Sequence, residues 1–301
     1  MRIHIWKQAC TIFFIAFFHD ITIAQQKTPY QQEINTWHKT RVASLLAPNG
    51  WLNLAGLFWL KPGRNAFGRG IGNELVYKHP GFPKKAGYFD WDGIQVHWVS
   101  ANGVKIIIND SAVTHAVVFR DGTTQASVIA LGSFRWSVIK RNDKMGVRLR
   151  NLASPALKTF KGINRFAVKE QWRVQAHLET GMQNNILITN VVGQTNAEIS
   201  PGKLVFTIGG VIYKLAALIE EGKLFIIFGD ATSGKGTYPA GRFLYAEMPD
   251  LNGNTVLDFN KAYNPPCAFS EFATCPLPPK QNILRLAITA GEKDYIMYGT
   301  K

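Results

Sequence analysis

The chain has 301 residues, a formal net charge of +14, a hydrophobic share of 46% and 3 cysteines. That length suffices for one large all-β domain or two smaller ones with substantial cores. So basic a balance points to nucleic acid, an anionic envelope surface or an acidic ligand, but the cations are scattered along the chain rather than massed in a nucleic-acid-binding tail.

Residues 1–24 read as a signal peptide. Arg2 and Lys7 give a basic start, residues 9–18 an apolar run, and Thr22-Ile23-Ala24 a small-residue end before Gln25-Gln26. A membrane anchor needs roughly 20 apolar residues, and His19 and Asp20 break the run well short of that. Cys10 has no lipobox before it. The expected protein is therefore exported, periplasmic or extracellular, with its signal cleaved and no integral membrane segment left. Export argues against nucleic acid as its partner.

From Gln31 to Leu46, Ile34, Trp37, Val42, Leu45 and Leu46 approximate helical spacing, and Ala47-Pro48-Asn49-Gly50 ends the run. Trp51 to Leu60 is too apolar for a surface loop and reads as a buried strand. Short β signals then recur from Leu75 to Lys140, separated by Asp92-Gly93, Asn102-Gly103, Asn109-Asp110 and Asp121-Gly122, whose residues tolerate positive φ. Arg135, Lys140, Arg141, Lys144, Arg148 and Arg150 read as the solvated face of a sheet. Residues 151–166 lack periodicity, which places a joint near residue 160. Strand-like runs resume from Trp172 to Glu247, with Gly209-Gly210 and Glu220-Glu221-Gly222 as hairpin turns. Within Lys203 to Ile208, Leu204, Phe206 and Ile208 share one face, as half-burial requires. The expectation is all-β: two sandwich-like or barrel-like units, 25–160 and 161–301, with one short N-terminal helix and an irregular proline-rich C-terminal segment.

Three groups of residues could carry chemistry. Gly229-Asp230-Ala231-Thr232-Ser233-Gly234-Lys235-Gly236 nearly spells a phosphate-binding loop, but Gly236 stands where a hydroxyl is required, and Pro239 and Gly241 are poor material for the helix that should follow. The loop instead presents Asp230, Thr232, Lys235, Tyr238 and Arg242 as a ligand rim, or is a plain hairpin loop. Cys267 and Cys275, close in sequence in an oxidising compartment, read first as a disulfide; reduced structural thiols, or Cys267 as a nucleophile, are the alternatives. No metal is expected, since no Cys-x2-Cys or His-x3-His spacing occurs and His38, His79, His97, His115 and His177 all lie outside this segment. Nor does any motif point to a cofactor. Asp230, Asp258, Glu271 and Glu292, with the amides Asn260, Asn264 and Asn282 and with Tyr263, make the third group: acid–base carboxylates, ligand contacts, or caps for turns beside Pro265, Pro266, Pro276, Pro278 and Pro279.

Asp258-Phe-Asn-Lys-Ala-Tyr-Asn-Pro-Pro-Cys-Ala-Phe269 and Ala273-Thr-Cys-Pro-Leu-Pro-Pro279 resemble the signature of the family designated domain of unknown function 1684. Gly50 to Leu60, Gly63 to Gly68, Trp172 to Ala176, Thr237-Tyr238, Gly241 to Leu244 and Ala290 to Glu292 are similar to its other blocks. The resemblance implies membership and no activity. Leu60 to Arg69, Ala101 to Asn109 and Leu131 to Trp136 resemble the strand and turn order of forkhead-associated β-sandwiches. The phosphothreonine-reading Ser-x-x-His is missing, with Pro80-Gly81-Phe82-Pro83 in its place, so this second resemblance implies fold only. The function expected is binding of a small polar or anionic ligand. A hydrolase using Asp258, Glu271, Glu292 or Cys267, or a purely structural clasp, are the alternatives.

Overall fold

The computed structural model describes residues 28–123, 126–141, 143–181 and 184–295. The signal-peptide reading of residues 1–24 lies outside them. The architecture is all-β. The N-terminal unit packs a six-stranded sheet, in the order Leu54–Trp59, Lys144–Asn151, Phe134–Arg141, Ile129–Leu131, Ile106–Ile108 and Ser111–Val113, on a five-stranded sheet that runs Leu75–Val76, Gly63–Gly68, Gly87–Trp91, Gln95–Ser100 and His115–Arg120. Alternation drives this pairing: Phe134, Trp136 and Val138 point inward from one strand, Met145, Val147 and Leu149 from the next, and all are buried. Phe67, Phe82, Trp98 and Trp136 fill the space between the sheets in tilted and edge-on contacts, with Phe67 to Phe82 at 5.0 Å and Trp98 to Trp136 at 5.4 Å.

The tight turns occur where the sequence places them. Asn109 and Asp110 have φ of 48° and 61°, and Gly209 and Gly210 have 59° and 77°, so both hairpins close through two positive-φ residues. That geometry matches the twist of the flanking strands.

The second unit is a six-stranded antiparallel sheet: Arg242–Ala246, Lys223–Phe228, Val211–Glu220, Gly202–Ile208, Arg173–Glu179 and Asn254–Asp258. Leu204 and Phe206 are buried on one face as their spacing predicts. Lys223–Phe228 is buried on both faces. Leu224, Ile226 and Phe228 join one core with Phe259, Leu284 and Ile288, while Phe225 and Ile227 join another with Phe243, Ala273 and Cys275. The C-terminal segment thus supplies apolar cover to both sides of the sheet.

The N-terminal helix runs Pro29–Leu46. Thr28 caps it by accepting from Gln31 N, the Gln31 side chain accepts from Thr28 N in return, and Pro29 occupies the first turn, where its missing N–H costs nothing. The structure differs from the sequence expectation in two elements. Pro155–Thr159 forms a second, five-residue helix, with Ser154 at its N-cap and Pro155 in its first turn. Lys144–Asn151 is a strand of a sheet, as expected, paired with Leu54–Trp59 and Phe134–Arg141, but Arg148 and Arg150 on it are half-buried rather than fully solvated.

Candidate functional site

Most of the signature residues tie backbone together. Arg242 is 1% exposed. Its Nη2 donates to Asp230 Oδ2 at 2.7 Å and to Ile288 O at 3.0 Å, and its Nη1 donates to Ala290 O at 2.5 Å and Glu292 O at 3.3 Å. Burial pulls the pKa of this guanidinium down and Asp230 opposes the shift. Asp230 Oδ1 accepts from Thr232 N at 2.8 Å and Thr232 Oγ1 at 2.5 Å, so the glycine-rich loop closes on itself, as Gly234 N to Thr237 O at 2.9 Å also shows. Lys235 is exposed on this loop and Tyr238 packs beside Phe160 and Phe269.

Asn282 is the clearest clasp. The ladder between Val211–Glu220 and Lys223–Phe228 pairs Leu218 with Phe225 and goes no further into the sheet. Where the strands part, Asn282 Nδ2 donates to Ala216 O at 2.9 Å and Ile227 O at 2.8 Å while its Oδ1 accepts from Ala216 N at 2.8 Å. One carboxamide replaces the missing rungs, because it carries the donors and acceptor of a peptide group. Asn260 does a similar service, bonding Lys169 N and O at 3.1 and 2.9 Å. Asp258 Oδ1 accepts from Tyr30 OH at 2.8 Å and Asn260 N at 3.1 Å. Asn264 Nδ2 donates to Lys293 O at 2.8 Å. Glu292, with no exposed surface, accepts from Asn264 N at 2.7 Å and from Arg41 Nε at 3.3 Å, and burial pushes its carboxyl above the usual range. Glu271 is exposed. Cys267 and Cys275 form a disulfide, with Cα atoms 6.1 Å apart. Cys267 therefore holds no free thiol.

Of the predicted site residues, Tyr263 and Cys275 border a cavity of about 470 Å³ between the two units. Besides the C-terminal segment, Trp51, Arg141 and Arg148 of the N-terminal unit and Phe225, Phe243 and Tyr245 of the second line it, and the 229–238 loop does not. Three of its neighbouring guanidinium groups differ in how they are satisfied. Arg41 is bonded to Glu292 and to Asn264 O at 2.9 Å, and lies 4.7 Å over the Tyr263 ring. Arg150 donates to Gly50 O and, at 2.8 Å, to Asn53 Oδ1. Arg148 has no ion pair among the described residues, its buried Nε has no hydrogen-bond partner, and it rests 5.3 Å from the Trp51 ring. Burial, with Arg141 and Arg150 nearby, lowers its pKa to about 10, so it stays charged at neutral pH.

Tyr245 and Tyr263 line the same cavity, with rings 6.2 Å apart and 13° from parallel. Tyr245 OH donates to Glu220 at 2.5 Å, at the exposed rim. Burial pushes both phenols far up, so both keep their protons. Sequence reasoning missed Arg148, Trp51 and Tyr245. The available signal was the alternation of Arg148 and Arg150 with Val147 and Leu149, which sets two arginines on one face of a strand that is otherwise core.

Residues 158–293 match the family model described as "Protein of unknown function (DUF1684)". No curated protein matches the chain. Among solved structures, an uncharacterized protein of Haloarcula marismortui, determined by solution NMR, is 31% identical over 47% of this chain and 80% of its own, with a TM-score of 0.40. The FHA domain of FhaA, solved in complex with an intracellular domain, is 20% identical over 31% of this chain and 97% of its own, with a TM-score of 0.22. A further FHA structure, from a study of phosphothreonine-dependent interactions, is 20% identical over 31% of this chain and 92% of its own, also at 0.22. Through residues 158–293 the chain belongs to the DUF1684 family of unknown function.

Proposed function

We propose that the protein binds a small anionic ligand in the cavity between its two β units, with Arg148 as the charge that recognises it. The observation that carries this reading is the state of Arg148: a half-buried, protonated guanidinium whose buried Nε has no hydrogen-bond partner and which has no ion pair among the described residues. Leaving a charge desolvated and unpaired costs several kcal/mol, and proteins ordinarily pair or hydrogen-bond such groups. An anion in the cavity would supply the missing partner, and a guanidinium presents planar, paired donors that suit a carboxylate or a phosphate. Arg141 adds positive potential, while the neutral phenol of Tyr263 offers a hydrogen bond without added charge. A volume of about 470 Å³ lies in the range of small-molecule sites.

The reading includes export through residues 1–24 to an oxidising compartment, where a disulfide persists. The clasp alternative accounts for Asp230, Arg242, Asn260, Asn282 and Glu292, but it gives Arg148 no partner. A thermal-shift screen of small carboxylates and phosphates tests the proposal. Hits should raise the melting temperature of the wild type and leave Arg148→Met unchanged; no hit, or equal shifts in both proteins, rejects it.

A further inference from the structure

A second cavity, of about 660 Å³, adjoins the first and shares Tyr245 and Tyr263 in its wall. Its chemistry is different. Lys223 and Glu247 pair at 2.5 Å and Lys261 and Glu33 at 2.7 Å, Asp258 accepts from Tyr30 at 2.8 Å, Asp250 accepts from Asn252 N at 2.9 Å and Asn254 N at 2.8 Å, and Arg173, without an ion pair among the described residues, lies 5.3 Å from the Tyr30 ring, so most of the charged groups here already have partners. What remains is a mixed field of hydrogen-bonding groups beside the half-buried ring of Trp37, which faces out from the N-terminal helix. Balanced polar groups beside an aromatic face suit a neutral, polyhydroxylated body: hydroxyls exchange donors and acceptors with paired charges, and the apolar face of a sugar ring lies against indole.

Resting on the proposed anion site, we infer that the ligand is a hexose bearing one anionic group, with its carboxylate or phosphate against Arg148 and its sugar ring against Trp37, spanning the Tyr245 and Tyr263 pair. The two cavities then divide the recognition. Arg148 fixes the charge, and the second cavity discriminates the body that carries it. Glu220 and Glu221 at the rim of the first cavity disfavour ligands with several negative charges.

Calorimetric titration of the full protein with four probes tests this: inorganic phosphate, glucose, glucose 6-phosphate and glucuronate. At least one anionic hexose should bind about tenfold or more tightly than phosphate or glucose, a gain expected when two linked contacts are made by one ligand. Glucose 6-phosphate against glucuronate identifies the anion. Trp37→Ala should remove that gain and leave phosphate affinity unchanged, and Trp37→Phe should keep most of it, which separates lost stacking from a damaged fold. Phosphate binding without any gain from the hexose, or a gain that survives Trp37→Ala, overturns the inference and leaves the anion site standing. Absence of binding by phosphate and both anionic hexoses overturns both.

Discussion

Arg41 and Glu292 meet across 251 positions of sequence, Nε to Oε1 at 3.3 Å, and so fasten the N-terminal helix to the end of the DUF1684 segment. The contact also decides which cation is left over beside the cavity. Arg41 is neutralised by Glu292, Arg150 is bonded to Gly50 and Asn53, and Arg148 alone of these three lacks an ion-pair or hydrogen-bond partner for its buried nitrogen.

The same pair gives a pH signature. Burial holds the Glu292 carboxyl above the usual carboxylate range, with Arg41 only partly offsetting it. The folded state therefore keeps this proton to higher pH than the unfolded chain does, and the contribution is fully present below about 4.5 and lost as pH rises through the raised folded-state value. Urea midpoints should fall over that window in the wild type, and Glu292→Gln should flatten that part of the profile. A profile unchanged by the substitution would show that the group ionises as freely folded as unfolded.

Asn282 predicts a ranking. Asn282→Ala leaves Ala216 and Ile227 backbone groups unpaired in the interior, at about 1–3 kcal/mol for each buried group stranded. Asn282→Asp should be worse, because a carboxylate cannot donate to the two carbonyls and adds a buried charge. Chemical denaturation giving Asp the milder effect would contradict the bridging role.

Asp230 and Arg242 form a buried ion pair at 2.7 Å, both side chains 1% exposed. Removing one partner strands the other, so Asp230→Ala and Arg242→Met should each cost about 3–5 kcal/mol. The double substitution should cost less than the two single losses together, since it strands no charge. Additive losses in equilibrium unfolding would show that the residues act independently.

These clasps mark the limit of what could be read from the chain. The hairpins were legible because Asn109-Asp110 and Gly209-Gly210 tolerate positive φ, and the half-buried strand at Leu204 because alternation of period two reports a covered face directly. The signature's acids and amides stood out by residue type, yet type does not distinguish a group facing ligand from one facing backbone; Asn282 and Glu292 do the latter. Arg148 was concealed for the opposite reason. Its strand shows polar residues alternating with Val147 and Leu149, the pattern of a sheet with one wet face, and only the fold places the second unit and Trp51 over that face.

The disulfide closes a loop of 8 residues in sequence separation. Chain entropy assigns such a link about 2.5 kcal/mol. Cys267→Ser with Cys275→Ser should lower stability by that order, and intact mass before and after reduction should differ by two protons in the wild type. No mass difference in protein from an oxidising compartment would remove the bond.

Arg148 is proposed as a half-buried cation, its Nε buried and unpartnered, that an anion pairs with. The most direct test of that pairing is calorimetric titration of wild type and Arg148→Met with inorganic phosphate and with glucuronate, beside the melting temperature of each protein without ligand. One binding site is expected in the wild type, with a loss of about 10- to 100-fold in the variant, as fits a charge-assisted hydrogen bond of about 1.5–3 kcal/mol, and with a variant no less stable than the wild type in the unliganded state, because methionine removes an unpaired charge. Equal affinity in the two proteins, or no binding of either probe by the wild type, would contradict the pairing.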